Sequence, residues 1–150
     1  MILLALDPSS TNVGYCIAED DHYILSGVFS PQGKPDARVR EISRWARHKI
    51  STYEVQHVVL EEPAVTHGNA RVDRLLARVG GVIEAHALSY GAQVSRVHPS
   101  QVKASGCSKD ALHVAAAIAN KGMVGPDEAD AIGVWLAGLR ILRFPAEVRY

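Results

Sequence analysis

A chain of 150 residues, 47% hydrophobic and 21% charged, is long enough to bury a core and too apolar to stay disordered. Sixteen basic residues cancel sixteen acidic ones, which weakens the case for the usual, basic kind of nucleic-acid binder. No run of about 18 apolar residues exists to span a bilayer, and two cysteines, Cys16 and Cys107, make neither a disulfide framework nor a zinc site.

Met1 to Leu6 is a continuous apolar run closed by Asp7-Pro8-Ser9-Ser10-Thr11-Asn12, the pattern of a strand buried on both faces and ended by a turn. It is too short for a signal-peptide core and lacks a basic flank, so the expected compartment is a reducing cytoplasm. Asp7 stands at the strand's end, where its plainest role is to accept backbone N–H bonds in the turn. Val13 to Ala18 and Tyr23 to Phe29, joined by Glu19-Asp20-Asp21, predict a hairpin weakened by Gly14 and Gly27. After the Ser30–Pro35 loop, Asp36 is the expected N-cap of a helix running to about Ser51, with Val39, Ile42, Trp45, Ala46 and Ile50 on its apolar face. Six Lys or Arg between Lys34 and Lys49 oppose only Asp36 and Glu41. A solvated face is the default reading of that stripe, and contact with a DNA backbone is the alternative.

Gln56 to Leu60 is a second buried strand, ended by Glu61-Glu62-Pro63. A loop through Gly68 leads to a long helix from Arg71 to about Tyr90. Val72, Leu75, Leu76, Val79, Ile83 and Ala87 form its stripe, Val82 and Leu88 widen it, and Gly80-Gly81 would admit another backbone. Such a helix is either fully buried or has a partner chain. Ala92 to Val97 predicts a third buried strand, ending at His98-Pro99. Ser100 to Ser108 is a short helix or loop carrying Lys103; Lys109 to Asn120 is an Ala-rich helix ended by Lys121-Gly122. Pro126 opens the last helix, Asp127 to about Leu142. No repeat or linker divides the chain, so residues 1–150 are expected to form a single domain. The order predicts an α/β fold, a mixed sheet of about five strands flanked by helices on both faces.

Two acids share a position. Asp7 and Glu61 each follow an apolar run and so lie at the C-terminal end of a probable central strand, the edge where open α/β sheets bind ligands. If those strands are neighbours, the two carboxylates face each other. Asp127 and Asp130, spaced i,i+3, share one face of the last helix's first turn. Acids there can simply complement the helix dipole, but Asp130 lies deeper, before the apolar Ala131-Ile132-Gly133-Val134-Trp135. Four carboxylates without His or Cys make an oxygen-rich site suited to Mg²⁺ or Mn²⁺ rather than Zn²⁺, and they need cations to neutralise them. Two ions about 4 Å apart could activate a water and stabilise the leaving oxygen of a phosphodiester, which is the physical case for a metal-dependent nuclease.

The run Asp7-Pro8-Ser9-Ser10-Thr11-Asn12-Val13-Gly14-Tyr15 resembles the opening D-P-G-x-x-x-x-G-[YF] of RuvC-type Holliday junction resolvases. Val58-Val59-Leu60-Glu61-Glu62 looks like that family's second acidic strand end, Pro99-Ser100-Gln101-Val102-Lys103 is similar to its P-x-x-V-K segment, and Asp127 to Gly133 is similar to its D-A-A-D-A-[LI]-[AG] helix start. The segments keep the family's order over nearly the whole chain. The resemblance implies an RNase H-like fold, a homodimer through the Arg71–Tyr90 helix, and Mg²⁺-dependent cleavage of four-way junctions by paired symmetric nicks. By motif match, Asp7, Glu61, Asp127 and Asp130 would hold two Mg²⁺ ions, with Mn²⁺ able to substitute. Lys103 would stabilise charge in the transition state, and Lys109 would lie near the scissile phosphate. Departures from the family are Ser9 for glycine, a shorter Lys103–Lys109 spacing, no aromatic between Pro63 and Asn69, and Glu128 where alanine is frequent.

Arg71, Arg74 and Arg78, at i, i+3 and i+7 at the start of a helix beside Glu61, are candidates for DNA backbone contact. His67 and His98 are read as solvent-exposed, with phosphate contact as the alternative, and Trp45 and Trp135 as core. The competing functions are an RNase H-like nuclease acting on flapped DNA or structured RNA, an ATP-binding module of the actin and sugar-kinase type, and a junction binder without catalysis. The ATP module also begins with a strand and a Ser/Thr-rich phosphate turn, but 150 residues cannot hold its two domains.

Overall fold

The computed structural model describes residues 1–63, 68–104 and 125–143. The expectations for His67, Cys107, Lys109 and a helix over 109–120 lie outside these. Five strands, β1 (Ile2–Pro8), β2 (Val13–Glu19), β3 (His22–Phe29), β4 (His57–Glu61) and β5 (Gln93–Val97), form one mixed sheet in the order β3-β2-β1-β4-β5. β1, β2 and β3 are an antiparallel meander, whereas β4 and β5 run parallel to β1. Parallel neighbours need a crossover, and α1 (Pro35–Thr52) and α2 (Ala70–Ser89) supply the two. A short α3 (Pro99–Ala104) follows β5, and α4 (Pro126–Arg143) is the last described helix.

The apolar runs are continuous because the central strands are covered twice. Leu4, Leu6, Val58 and Leu60 pack with Val39, Ile42, Ile50, Val79 and Ile83 from α1 and α2. The alternate residues Leu3, Ala5 and Val59 pack with Ile132, Val134 and Trp135 from α4. Burial on both faces removes the polar alternation of a one-sided sheet.

The expected N-cap at Asp36 is corrected by two residues. Lys34 occupies the cap with extended backbone and no side-chain cap bond, and Pro35 begins the helix. The fixed φ of proline and its missing N–H suit the first helical position, so Pro35 sets the boundary. Asp36 falls in the first turn, favoured there by the dipole, and pairs with Arg78 at 2.8 Å. Trp45 is partly buried rather than central, stacked on Phe29 with ring centroids 5.0 Å apart. Trp135 is core as expected, and its indole N–H donates to the Asp20 carbonyl at 3.1 Å.

The chain uses only part of the apolar surface of α2. Leu75, Leu76, Val79, Ile83 and Ala87 are buried, but Leu88 is 60% exposed. Among the described residues the glycine pair admits no other backbone: a methyl on Gly80 would meet only the Arg96 guanidinium at 3.7 Å, and one on Gly81 nothing within 4 Å. No described helix is long and apolar enough to cross a membrane.

Candidate active site

The sheet register places the first two acids side by side. Leu6 of β1 pairs with Leu60 of β4, so Asp7 and Glu61 are the next residues on adjacent parallel strands, at their C-terminal ends. Strand alternation then sets their direction. Asp7 follows Leu3 and Ala5, and Glu61 follows Val59, onto the face covered by α4.

Gly14 brings the other two acids in. It sits opposite Asp7 in the β1–β2 pairing, and a Cβ there would overlap the backbone carbonyl oxygen of Asp127 and lie 2.8 Å from its carbon. Only glycine leaves room for the first turn of α4 to rest on β2 beside Asp7. Asp127 is half-buried at this contact and Asp130 is exposed one turn on.

The carboxyls feel one another. Burial pushes Asp7 up to about 6, helped by the charges of Asp130 and Asp127, while a side-chain hydrogen bond with Glu61 works against the rise. Burial likewise pushes Glu61 up to about 8, with Asp7 and Asp130 adding to it and the Lys103 ammonium opposing. Burial and mutual repulsion thus favour a proton held between the two carboxyls.

This proton stands where a cation's charge would serve. The donor set is entirely carboxylate oxygen, the chemistry of Mg²⁺ or Mn²⁺, and it fits such an ion. As the side chains stand, no three His, Cys, Asp or Glu among the described residues are gathered tightly enough to hold one. Glu61 is engaged with Asp7, and Asp127 Oδ2 accepts from Asn12 Nδ2 at 3.1 Å.

The raised carboxyls set the pH dependence of the metal-free protein. A folded-state value of about 8 for Glu61 against 4.5 ordinarily means the folded chain keeps a proton that the unfolded chain has lost across that window. The stabilisation is complete below about 4.5 and disappears as pH rises through 8; Asp7 adds the same sign between 3.8 and about 6. In chelator, the melting temperature is expected to fall from pH 5 to pH 8 and to recover with added Mg²⁺, as read by calorimetry.

Glu128 has a partner on the sheet. It accepts from Ser26 Oγ on β3, which is also 2.9 Å from the Tyr23 hydroxyl, and so ties α4 to the sheet. Lys103 lies exposed in the last turn of α3, where its charge reaches Glu61. His98 caps that helix: its Nδ1 is 2.7 Å from Ser100 Oγ, and its backbone N–H donates to Gln101 Oε1 at 2.7 Å. Asn12, which bridges to Asp127, was not among the sequence candidates.

Arginines gather next to the Asp7 turn. Arg38 donates through Nη1 to the Ser10 carbonyl and through Nε to the Gly33 carbonyl, both at 2.8 Å. It lines a groove of about 650 Å³ together with Arg71, Arg74 and Arg78 of α2. In the sequence Arg38 is only one member of the α1 basic stripe. A second cleft, of about 620 Å³, is lined by Met1, Gln56 and Gln93 at the opposite ends of the strands, away from the acids.

A mixed sheet in this order, with acids from β1, β4 and the last helix at one edge, defines an RNase H-like nuclease fold. The family model described as crossover junction endodeoxyribonuclease RuvC matches residues 3–134, and the chain belongs to that family of metal-dependent nucleases. The fold is similar to that of Thermus thermophilus RuvC in complex with a Holliday junction substrate, with a TM-score of 0.83, 18% identity, and 96% of each chain covered. A structure of Thermus thermophilus RuvC gives a TM-score of 0.81 at 18% identity over 97% of each chain. The yeast mitochondrial Holliday junction resolvase Ydc2 gives 0.66 at 12% identity, covering 94% of this chain and 80% of that one. A search of curated proteins finds no significant match.

Proposed function

We propose that this chain resolves four-way DNA junctions as a cytoplasmic homodimer, making paired symmetric nicks with two Mg²⁺ ions per active site. The observation that carries the reading is the placement of Asp7 and Glu61 at the ends of adjacent parallel strands, with the first turn of α4, which bears Asp127 and Asp130, seated on Gly14 beside them. These four residues would hold the ions, and Mn²⁺ would substitute. When bound, the ions would supply Lewis-acid stabilisation of phosphate charge and lower the pKa of a water. Loading would release the proton shared by Glu61 and Asp7, so the pair would pass from one negative charge to two. Lys103, on the Glu61 side, would offset charge building on the phosphate.

Dimerisation through α2 is supported by its exposed apolar line. Ala77, Gly81, Ala85 and Leu88 recur at helical spacing and all face outward. Two copies joined there would carry two active sites, which paired nicks require.

Membership of the RuvC family answers the ATP-module alternative. The competing nuclease reading rests on the missing aromatic between Pro63 and Asn69. A panel of four-way junction, flap, duplex, RNA–DNA hybrid and structured RNA, each with Mg²⁺ or chelator, separates the two. Symmetric nicks confined to the junction are expected; equal cutting of flaps or structured RNA would overturn the junction assignment.

The groove of Arg38, Arg71 and Arg74 is proposed to take the phosphates of a junction arm. Replacing Arg71 and Arg74 by alanine should weaken junction binding and reduce the slope of log K against log salt by about 2, since each lost phosphate contact is worth roughly one. An unchanged slope in anisotropy titrations across salt would remove both from the DNA path.

A further inference from the structure

The turn after Asp7 is closed by a residue that departs from the family pattern. Ser9 stands where the family has glycine, and its hydroxyl accepts from the backbone N–H groups of Thr11 (3.3 Å) and Asn12 (3.0 Å) and donates to the Asn12 carbonyl at 3.0 Å. The Ser9 backbone N–H reaches that same carbonyl at 2.8 Å. Arg38 holds the next carbonyl, that of Ser10. The backbone of Asn12 is thus pinned from both sides.

Its side chain continues the network in one direction only. Asn12 Nδ2 donates to Asp127 Oδ2 at 3.1 Å, and Asn12 Oδ1 lies 2.8 Å from Ser30 Oγ. A carboxylate accepts and does not donate, so the amide must turn Nδ2 towards Asp127. Ser30 then has to donate to Oδ1, which locks that orientation. Asn12 occupies Oδ2 of Asp127, and Asn12 belongs to the turn that begins at Asp7 itself.

We infer that Asn12 is a positioning residue for the metal site: by holding Oδ2 it selects one side-chain conformation of Asp127, on the helix turn that Gly14 seats beside Asp7, and Ser30 fixes the Asn12 amide for that task. The inference rests on the reading of Asp127 as a metal ligand. A partner that orients a ligand in this way typically contributes 10- to 100-fold to metal affinity or activity. Anchoring of α4 does not depend on Asn12, because the Gly14 contact and the Ser26–Glu128 bond also hold its first turn.

The test compares wild type, Asn12→Ala, Asn12→Leu (similar in size, without the donor), Ser30→Ala and the Asn12→Ala/Ser30→Ala double variant. Mg²⁺ binding to the protein alone is read by calorimetry, and junction cutting is read as a function of Mg²⁺. Both Asn12 variants should raise the Mg²⁺ half-saturation by about 10-fold or more, with KM for the junction at saturating Mg²⁺ and the melting temperature close to wild type. Ser30→Ala should give a smaller rise and add nothing to Asn12→Ala. Wild-type half-saturation in Asn12→Leu, or additive effects in the double variant, would overturn the inference. So would a lowered melting temperature with unchanged half-saturation, which marks a merely structural tether. Failure of wild type to cut any junction in Mg²⁺ would instead sink the functional reading on which the inference rests.

Discussion

Asp7→Asn is expected to abolish Mg²⁺-dependent junction cutting while leaving the chain folded and able to bind the junction. The replacement keeps the shape of the side chain and removes its capacity for negative charge at the most strongly coupled position of the site. Asp7 is the neighbour that contributes most, after burial, to the raised pKa of Glu61. Its neutralisation therefore lets Glu61 ionise more readily, and the metal-free protein should lose part of its decline in stability towards pH 8. Cation binding moves the other way, because a neutral amide oxygen is a poor replacement for a carboxylate that would help to hold a divalent cation. A loss on the order of 10³-fold in kcat, equivalent to about 4 kcal/mol of transition-state stabilisation, is the expected scale. Gel assays in saturating Mg²⁺ measure the cutting, and calorimetric melts in chelator measure the stability. Equal cutting by both proteins would show that the chemistry lies elsewhere. Glu128→Gln is the matched comparison: Glu128 accepts from Ser26 on β3, so removing its charge should alter cutting far less.

Three of the four acids stand out in the sequence because each is an exception to a local pattern, whereas Asp127 reads as an ordinary acid of a helix start. Asp7 and Glu61 interrupt apolar runs at strand ends, and Asp130 precedes an apolar stretch that α4 buries against the sheet. The element order and the class of fold follow from the same runs, and all five strands appear within about two residues of their expected limits. What the sequence hides is pairwise. Nothing in the composition of residues 9–12 says that the Asn12 amide ends at Asp127, 115 residues later. Gly14 reads as a weak point in a strand, whereas in three dimensions its missing side chain is the space that α4 occupies. Arg38 is one charge among six in the sequence, and only the fold sets its guanidinium on the Ser10 carbonyl. The α1 cap was misplaced for a local reason: Asp is a good cap in isolation, but Pro35 is a stronger first helical residue.

Gly14→Ala should be the most damaging single-methyl addition at the active-site edge. The new Cβ would overlap the Asp127 carbonyl oxygen, a backbone atom that cannot swing aside as a side chain would, and would press on Ala131 Cβ at 3.4 Å. Relief requires the N-terminal turn of α4 to lift from β2, carrying Asp127 and Asp130 away from Asp7 and Glu61. The expected cost is about 2–3 kcal/mol of stability, a visible drop in melting temperature, together with loss of Mg²⁺ binding in calorimetry. Gly138→Ala separates the two effects. Its Cβ would meet Val59 Cγ2 and Cγ1 at 2.8 and 2.9 Å, more than two turns along α4 from the acids, so it too overpacks the helix against the sheet. It should destabilise by a comparable amount yet retain Mg²⁺ binding and cutting at a temperature where the protein is folded. If both variants lose metal binding alike, α4 moves as one rigid body and Gly14 has no special place. If only Gly14→Ala loses it, the absent side chain opposite Asp7 is what brings the last helix's acids to the first strand's.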